Sequence, residues 1–303
     1  MRILIAEDEP GCRLWLRTLL TKLGFDVVVC EDGLSAWKLL QERDAPKFAI
    51  LDWMMPGMDG PQVCQEVRKQ ADRHYTYFLL LTAKNQKKDL LKAFQAGADD
   101  FLSKPVDEDE LQVRIEVGQR ILAWQDQLIS VREQLRIQAT RDGLTGLWNR
   151  GAVSDLLEKE LNRAHRKLES VGVALMDLDY FKRINDTHGH QAGDAVLRAV
   201  SGKLTTLLRP YDLVGRYGGE EFLVVMPGCD EAEALKLCDR LREGLAVSAV
   251  PFEGQTIPIT ASIGVAMAPI GVESKVECLL RTADRALYHA KASGRNRVEL
   301  GVG

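Results

Sequence analysis

Paired cysteines are missing from this chain. Its six cysteines stand at positions 12, 30, 64, 229, 238 and 278, with no Cys-x-x-Cys among them. They read as small buried hydrophobes of a reducing cytosol. No apolar run approaches the roughly 20 residues that span a bilayer. Met1-Arg2 leads into a short strand-like run rather than a secretory signal. A cytoplasmic protein with no membrane partner is therefore expected. A basic tail or stripe is also missing: 40 Lys and Arg face 44 Asp and Glu, for a net charge of −4. Binding a phosphate backbone needs clustered Lys and Arg, so nucleic acid is not an expected partner. The carboxyl half carries no helix-turn-helix pattern, which argues against a transcription factor. What is present is an ordinary globular composition, 46% hydrophobic and 28% charged, over 303 residues, enough for two domains.

In the amino-terminal part, short apolar runs alternate with segments of helical spacing. Arg2-Ile-Leu-Ile-Ala6, Phe48-Ala-Ile-Leu51, Phe78-Leu-Leu-Leu81 and Phe101-Leu-Ser103 read as strands. Leu14, Leu16, Leu19, Leu20 and Leu23 carry a helical period between the first two. This alternation predicts an α/β doubly wound parallel sheet, in which ligands bind beyond the carboxyl ends of the strands. Those ends carry Glu7, Asp8, Asp52, Thr82 and Lys104. The set resembles a response-regulator receiver domain of flavodoxin-like fold over residues 1–118. The resemblance implies that Asp52, in Asp52-Trp-Met-Met-Pro-Gly-Met-Asp-Gly60, is the phosphoacceptor for a histidine kinase. It implies a Mg²⁺ held by Glu7, Asp8, Asp52 and the Met54 carbonyl, phosphoryl contacts from Thr82 and Lys104, and an aromatic switch at Phe101. The resemblance also implies a cis Lys104-Pro105 bond, and proline is the residue at which cis costs little.

Residues 119–140 read as a helical linker. Asp107-Glu-Asp-Glu110 suits the positive end of a helix. Beyond Gly118, the residues Ile121, Trp124, Leu128, Val131 and Leu135 alternate steps of three and four. That is an a/d seam of about two heptads, which predicts a parallel two-stranded coiled coil and hence a homodimer.

The carboxyl part, 141–303, places acids at strand ends. Val171-Gly-Val-Ala-Leu-Met-Asp-Leu-Asp179 is an apolar run that ends in acid. In Asp212-Leu-Val-Gly-Arg-Tyr-Gly-Gly-Glu-Glu-Phe-Leu-Val-Val-Met226, two strand-like stretches flank Gly218-Gly219. A tight hairpin is expected, with positive φ at its glycines and with the acids facing solvent or a ligand. Such carboxylates repel one another unless a hard cation sits between them. Past Gly151 the spacing predicts strands near 171–178, 256–267 and 297–300. It predicts helices near 190–208, 231–247 and 276–292, lying on one side of an α+β sheet.

Gly218-Gly219-Glu220-Glu221-Phe222 resembles the signature loop of GGDEF-domain diguanylate cyclases, in its GGEEF spelling. Four further segments are similar to that family's motifs in the same order: Asp142-Gly-Leu-Thr-Gly-Leu-Trp-Asn-Arg150, Asp177-Leu-Asp-Tyr-Phe-Lys182, Asn185-Asp-Thr-His-Gly-His-Gln-Ala-Gly-Asp194 and Ala290-Lys-Ala-Ser-Gly-Arg-Asn296. The resemblance implies a palm-like fold and the joining of two GTP into cyclic di-GMP by a homodimer. It implies Mg²⁺ (or Mn²⁺) on Asp177, the Leu178 carbonyl, Glu220 and Glu221, with Glu220 also the candidate base. Asn185 and Asp194 would read guanine. Lys182, Arg216, Lys291 and Arg295 would contact phosphates, and His190 would lie near the ribose or metal. Asp179 has a plainer reading as support for its strand end. Arg209-Pro-Tyr-Asp212, five residues before Gly218, matches the family's Arg-x-x-Asp product-inhibition site. The alternative function is a catalytically weak GGDEF domain that acts as a cyclic di-GMP binding module.

Overall fold

The computed structural model describes residues 1–70, 75–83 and 87–302, with residues 87–90 described by their backbone alone. The chain divides into two units, Met1–Glu133 and Gln134–Gly303.

The first unit alternates strand and helix: β1 (Arg2–Ala6), α1 (Pro10–Lys22), β2 (Asp26–Cys30), α2 (Gly33–Leu39), β3 (Phe48–Asp52), α3 (Gly60–Arg68), β4 (Tyr77–Thr82), α4 (Lys87–Gln95) and β5 (Asp100–Ser103). The five strands are parallel, in the order β2-β1-β3-β4-β5. β3 and β4 are buried at every position, which is why their apolar runs are unbroken. One face of the sheet packs Leu16, Leu19 and Leu20 of α1, and Leu111 and Ile115 of the helix that follows β5. The other face packs α2, α3 and Ala93 of α4. Of the periodic leucines expected to face the core, Leu14 is instead exposed.

That following helix, α5 (Glu108–Thr140), is one unbroken element of 33 residues. Glu108, Asp109 and Glu110 fill its first turn, where the helix dipole favours negative charge. Gly118 does not interrupt it. A Cβ there would come within 2.4 Å of the Phe48 ring and 2.8 Å of the Tyr77 ring, so glycine lets the helix sit directly on the sheet. Ile121 and Leu122 belong to the core of the first unit. Trp124, Leu128, Val131 and Leu135 are exposed, at 62, 65, 42 and 58%. The expected seam therefore starts in the core at Ile121 and continues as a bare apolar stripe.

The second unit contains α6 (Arg150–Lys167), β6 (Val171–Leu178), α7 (Phe181–His188), α8 (His190–Leu207), β7 (Leu213–Arg216), β8 (Glu221–Pro227), α9 (Glu231–Ala246), β9 (Val250–Phe252), β10 (Gln255–Ile257), β11 (Ala261–Ala268), α10 (Val276–Ala292) and β12 (Val298–Leu300). The main sheet runs β12-β11-β6-β8-β7 and is mixed: β12 is parallel to β11, and every other pairing is antiparallel. The helices do not lie on one side, as the sequence reading expected. Ala174, Met176 and Leu178 of β6 meet α8 and α9, while Val171, Val173 and Leu175 meet α6 and α10. β6 is buried along its whole length, so both faces of the sheet need a helical cover.

Two local expectations are also corrected. The strand expected near 256–267 is two elements, because β10 pairs with β9 in a separate hairpin. Gly189 and Gly193 make the segment from Asn185 to Asp194 read as a loop shaped for close approach of a ligand, and it is not a loop. It is the end of α7 and the start of α8, turned at Gly189 (φ +83°). The cysteines divide as well: Cys30, Cys64, Cys229 and Cys238 are buried, but Cys12 is half-buried and Cys278 exposed.

Gly264 of β11 tests the packing of sheet on helix. A Cβ there would lie 2.1 Å from the Ala283 carbonyl oxygen and 2.2 Å from the Leu287 nitrogen, both backbone atoms of α10. Gly264→Ala is expected to destabilise the second unit by about 3 kcal/mol, read as a drop of several degrees in its thermal transition.

Candidate functional site

In the first unit, the carboxyl ends of β1, β3, β4 and β5 bring five predicted residues to one edge of the sheet. Glu7 and Asp52 are buried, and the Lys104 ammonium lies 2.8 Å from Glu7 Oε2 and 2.8 Å from Asp52 Oδ1. The Trp53 N–H donates to Asp52 Oδ1 at 2.9 Å. Oxygens of Glu7, Asp8 and Asp52 lie within 4.8 Å of one another. This all-oxygen set fits a hard divalent cation. Burial raises the pKa of Asp52 above the usual carboxylate range, a Lys104 hydrogen bond opposes it, and the charge of Glu7 adds to it. Thr82 is buried at the end of β4, and its carbonyl accepts from the Lys104 N–H at 2.8 Å. Lys104-Pro105 is cis. The Met54 side chain is exposed, while Phe101 is half-buried with its ring edge-on to Phe94. Cys12, which no motif flagged, reaches Glu7; burial and then its hydrogen bond to Glu7 push the thiol up to about 12.

In the second unit the register of β6 on β8 sets Asp177 opposite Glu221. Of the two settings expected for these acids, solvent or a ligand, Asp177 is not in the first. It is 8% exposed, and Lys291 from α10 places its ammonium 2.8 Å from Asp177 Oδ2. Burial raises the pKa of Asp177, with Lys291 pulling the other way. Burial also raises Glu221, and the charge of Asp177 adds to the shift. Asp179 is buried and fully engaged, accepting from Thr260 Oγ1 at 2.7 Å, Ser262 Oγ at 2.7 Å and the Asn296 N–H at 3.0 Å. It supports the strand end.

Beside this pair lies a cavity of about 510 Å³ whose wall includes Lys182, Asn185, His190, Asp194, Arg216 and Glu220. Asn185 reaches it because residue 193 is glycine. A Cβ there would stand 2.0 Å from Asn185 Oδ1, so Gly193 makes room for a side chain rather than for a ligand. Arg216 is held on two sides. Its Nε and Nη2 donate to the Gly219 carbonyl at 3.0 and 2.8 Å, and Nη1 donates to both oxygens of Asp142 at 3.2 Å. Asp142 was legible only as part of the opening motif. Its role as the anchor of Arg216 depends on a contact 74 residues away. Neither Gly218 nor Gly219 lies in the left-handed region, contrary to expectation. Gly218 leaves room for the tip of Glu221: a Cβ would come 2.5 Å from Glu221 Oε2, and the side chain would have to shift.

Among the described residues, the oxygens of Asp177, Glu220 and Glu221 do not converge within 4.8 Å as those of the first unit do. The donor types, carboxylates with the Leu178 carbonyl beside them, still suit Mg²⁺ or Mn²⁺. Lys291 and Arg295 stand outside the cavity wall, near Asp177. His188 is exposed and does not line it.

Arg209 and Asp212 form a turn rather than a side-chain pair: Asp212 Oδ2 accepts from the Arg209 backbone N–H at 2.9 Å. The Arg209 guanidinium lies 5.9 Å from the Tyr211 ring centroid. It borders a second cavity, of about 610 Å³, together with Arg240 from α9. Arg240 carries no local motif; only the packing of α9 brings it there.

Fold and sites together define a receiver-type α/β domain followed by a palm-like α+β domain with a GGEEF hairpin. The family model "Diguanylate cyclase, GGDEF domain" matches residues 139–297, and "Response regulator receiver domain" matches residues 3–116. The chain belongs to the GGDEF diguanylate cyclase family and carries a receiver domain ahead of the GGDEF domain. It is 36% identical over 255 residues to the response regulator PleD of Caulobacter vibrioides, covering 83% of this chain and 56% of PleD. It is 44% identical over 168 residues to the diguanylate cyclase DgcP of Pseudomonas aeruginosa, covering 55% of this chain and 25% of DgcP. The chain thus spans about half the length of PleD and a quarter of DgcP. The crystal structure of the coiled coil and GGDEF domain of DgcB from Caulobacter crescentus, in complex with c-di-GMP, superposes with a TM-score of 0.57 at 31% identity. That match covers 63% of this chain and 99% of that one. Among the described residues, no helix is long and apolar enough to cross a membrane.

Burial of Glu221 makes stability depend on pH. Its folded pKa lies above its unfolded value. Between the two the folded chain binds more protons, so stability falls as pH rises through that window. Glu221→Gln lacks the buried charge. In EDTA it is expected to melt higher than the wild type at pH 8 and to lose that advantage near pH 4. An equal shift at both pH values would dismiss charge burial as the cause.

Proposed function

We propose that the chain is a phosphorylation-controlled diguanylate cyclase that condenses two GTP into cyclic di-GMP and releases two pyrophosphates. The observation that carries this reading is the cavity that gathers Lys182, Asn185, His190, Asp194, Arg216 and Glu220 beside the Asp177–Glu221 pair. Asn185 and Asp194 hold the guanine edge, since a carboxylate can accept from its N1–H and N2–H₂. Lys182, Arg216, Lys291 and Arg295 bind phosphates, and His190 lies by the ribose. The 3′-hydroxyl oxygen of each GTP attacks the α-phosphorus of the other. The bond to pyrophosphate breaks, and the hydroxyl proton leaves to Glu220. Asp177, the Leu178 carbonyl, Glu220 and Glu221 would hold Mg²⁺ or Mn²⁺, which would supply charge to offset the phosphates and lower the hydroxyl pKa. One such domain holds one GTP, so ring closure takes two domains face to face.

The receiver supplies control. Asp52 takes a phosphoryl group from a histidine kinase. Thr82 and Lys104 bind its oxygens, Glu7, Asp8 and the Met54 carbonyl hold Mg²⁺, and Phe101 follows the switch. The added charge selects one of two packings. The working division is a receiver at 1–118, a linker at 119–140 and a cyclase at 141–303, in a cytoplasmic protein with no nucleic-acid or membrane partner. Product bound at Arg209 and Asp212 slows turnover from outside the active site.

Purified protein incubated with Mg²⁺, GTP and ATP is expected to yield cyclic di-GMP by HPLC. Beryllofluoride should raise the rate through Asp52, and Asp52→Asn should block that rise. Glu220→Gln should abolish product while the thermal transition stays within about 2 °C of wild type. Arg209→Ala should relieve product inhibition. Tight cyclic di-GMP binding with no turnover would favour the binding-module alternative.

The exposed stripe supports assembly through the linker. Polar substitution of Leu128 and Leu135 should halve the mass seen by light scattering at low concentration. Specific activity should then fall steeply on dilution. An unchanged mass would remove the coiled coil from the mechanism.

A further inference from the structure

Two consecutive residues after β6 grip two consecutive residues after α10. Asp179 accepts from the Asn296 N–H at 3.0 Å. Next to it, the Arg295 guanidinium lies 4.5 Å from the centroid of the Tyr180 ring, with Nη1 3.4 Å from the Tyr180 hydroxyl oxygen. The stacked contact is the stronger of these last two, since the hydrogen bond is long. All three turn residues hold left-handed backbone: Tyr180 at φ +56°, Arg295 at +64° and Asn296 at +45°. That conformation is costly for an aromatic residue and an arginine, and tolerable for asparagine. Asp179, fixed also by Thr260 and Ser262, over-determines the turn and offsets the strain.

Tyr180 is 59% exposed. It is not a core residue, so packing does not account for it. Arg295, by contrast, is half-buried, and its charge acts on Asp177. An arginine side chain free to rotate loses more conformational freedom on binding an anion than one already held in place. We propose that Tyr180 is a positioning residue that holds the Arg295 guanidinium beside Asp177 and Lys291, ready for the triphosphate of GTP. This rests on the reading of Arg295 as a phosphate contact.

The test uses the full chain, with KM for GTP and calorimetric binding of a non-hydrolysable GTP analogue. Tyr180→Asn keeps the left-handed turn and removes the ring, so the variant folds. It is expected to raise both KM and Kd about fivefold, with kcat at saturation changed less than about twofold. Tyr180→Phe restores the ring face and should recover most of the affinity. Arg295→Ala weakens binding further, and adding Tyr180→Asn to it should cost nothing more. Wild-type affinity in Tyr180→Asn alongside a weakened Arg295→Ala overturns the positioning role alone. Additive losses in the double variant, or a fall in kcat and melting temperature together, also overturn it by making Tyr180 merely structural. Wild-type affinity in Arg295→Ala overturns the phosphate reading and the inference with it.

Discussion

Both sheets bury carboxylates at their strand ends, and in each a lysine is paired with one or more of them. Lys104 lies within 2.8 Å of both Glu7 and Asp52, and Lys291 lies 2.8 Å from Asp177. A buried carboxylate left without a partner costs several kcal/mol. The lysines make the acids tolerable, yet the offset is partial, because Asp52 and Asp177 both keep raised pKa values. Carboxylate oxygens beside an ammonium are the donor types that suit a divalent cation and a phosphate, which are the roles proposed for them above.

Around the second of these pairs, several residues serve others rather than a ligand. Gly193 makes room for Asn185, Gly218 makes room for Glu221, and Asp142 anchors Arg216, which in turn fixes the Gly219 carbonyl. Asp179 ties β6, β11 and the turn after α10 together. Precision at the cavity wall comes from these supports, since a reacting group misplaced by an ångström loses much of its effect.

α5 serves two purposes along one length. From Glu108 to Leu122 it is a core helix, set tight on Phe48 and Tyr77 through Gly118. Beyond Leu122 it exposes Trp124, Leu128, Val131 and Leu135. A stripe of that size left in water carries a hydrophobic penalty that a second helix would remove. Its far end is fastened locally: the Asn149 side chain caps α6 and also donates to the Ala139 carbonyl at 2.8 Å.

Much of this protein was legible before any folding. The strand at Val171–Leu178, the hairpin around Gly218-Gly219 and the helix at Val276–Ala292 follow from runs and periods within a few residues, where local sterics and burial decide. The ordered motifs identified the family and named the residues of the cavity wall. Tertiary structure alone decided the rest. Helices on both faces of the mixed sheet follow from the burial of β6, which no alternating pattern reveals. The ion pair of Asp177 with Lys291 joins residues 114 positions apart. The glycine at 193 answers to the neighbouring Asn185 and Phe181 side chains and not to its own φ. Arg240 reaches its cavity, and Tyr180 its arginine, only through the packing of α9 and α10. A sequence records which groups are present; distances between groups remote in the chain are set when the sheet brings them together.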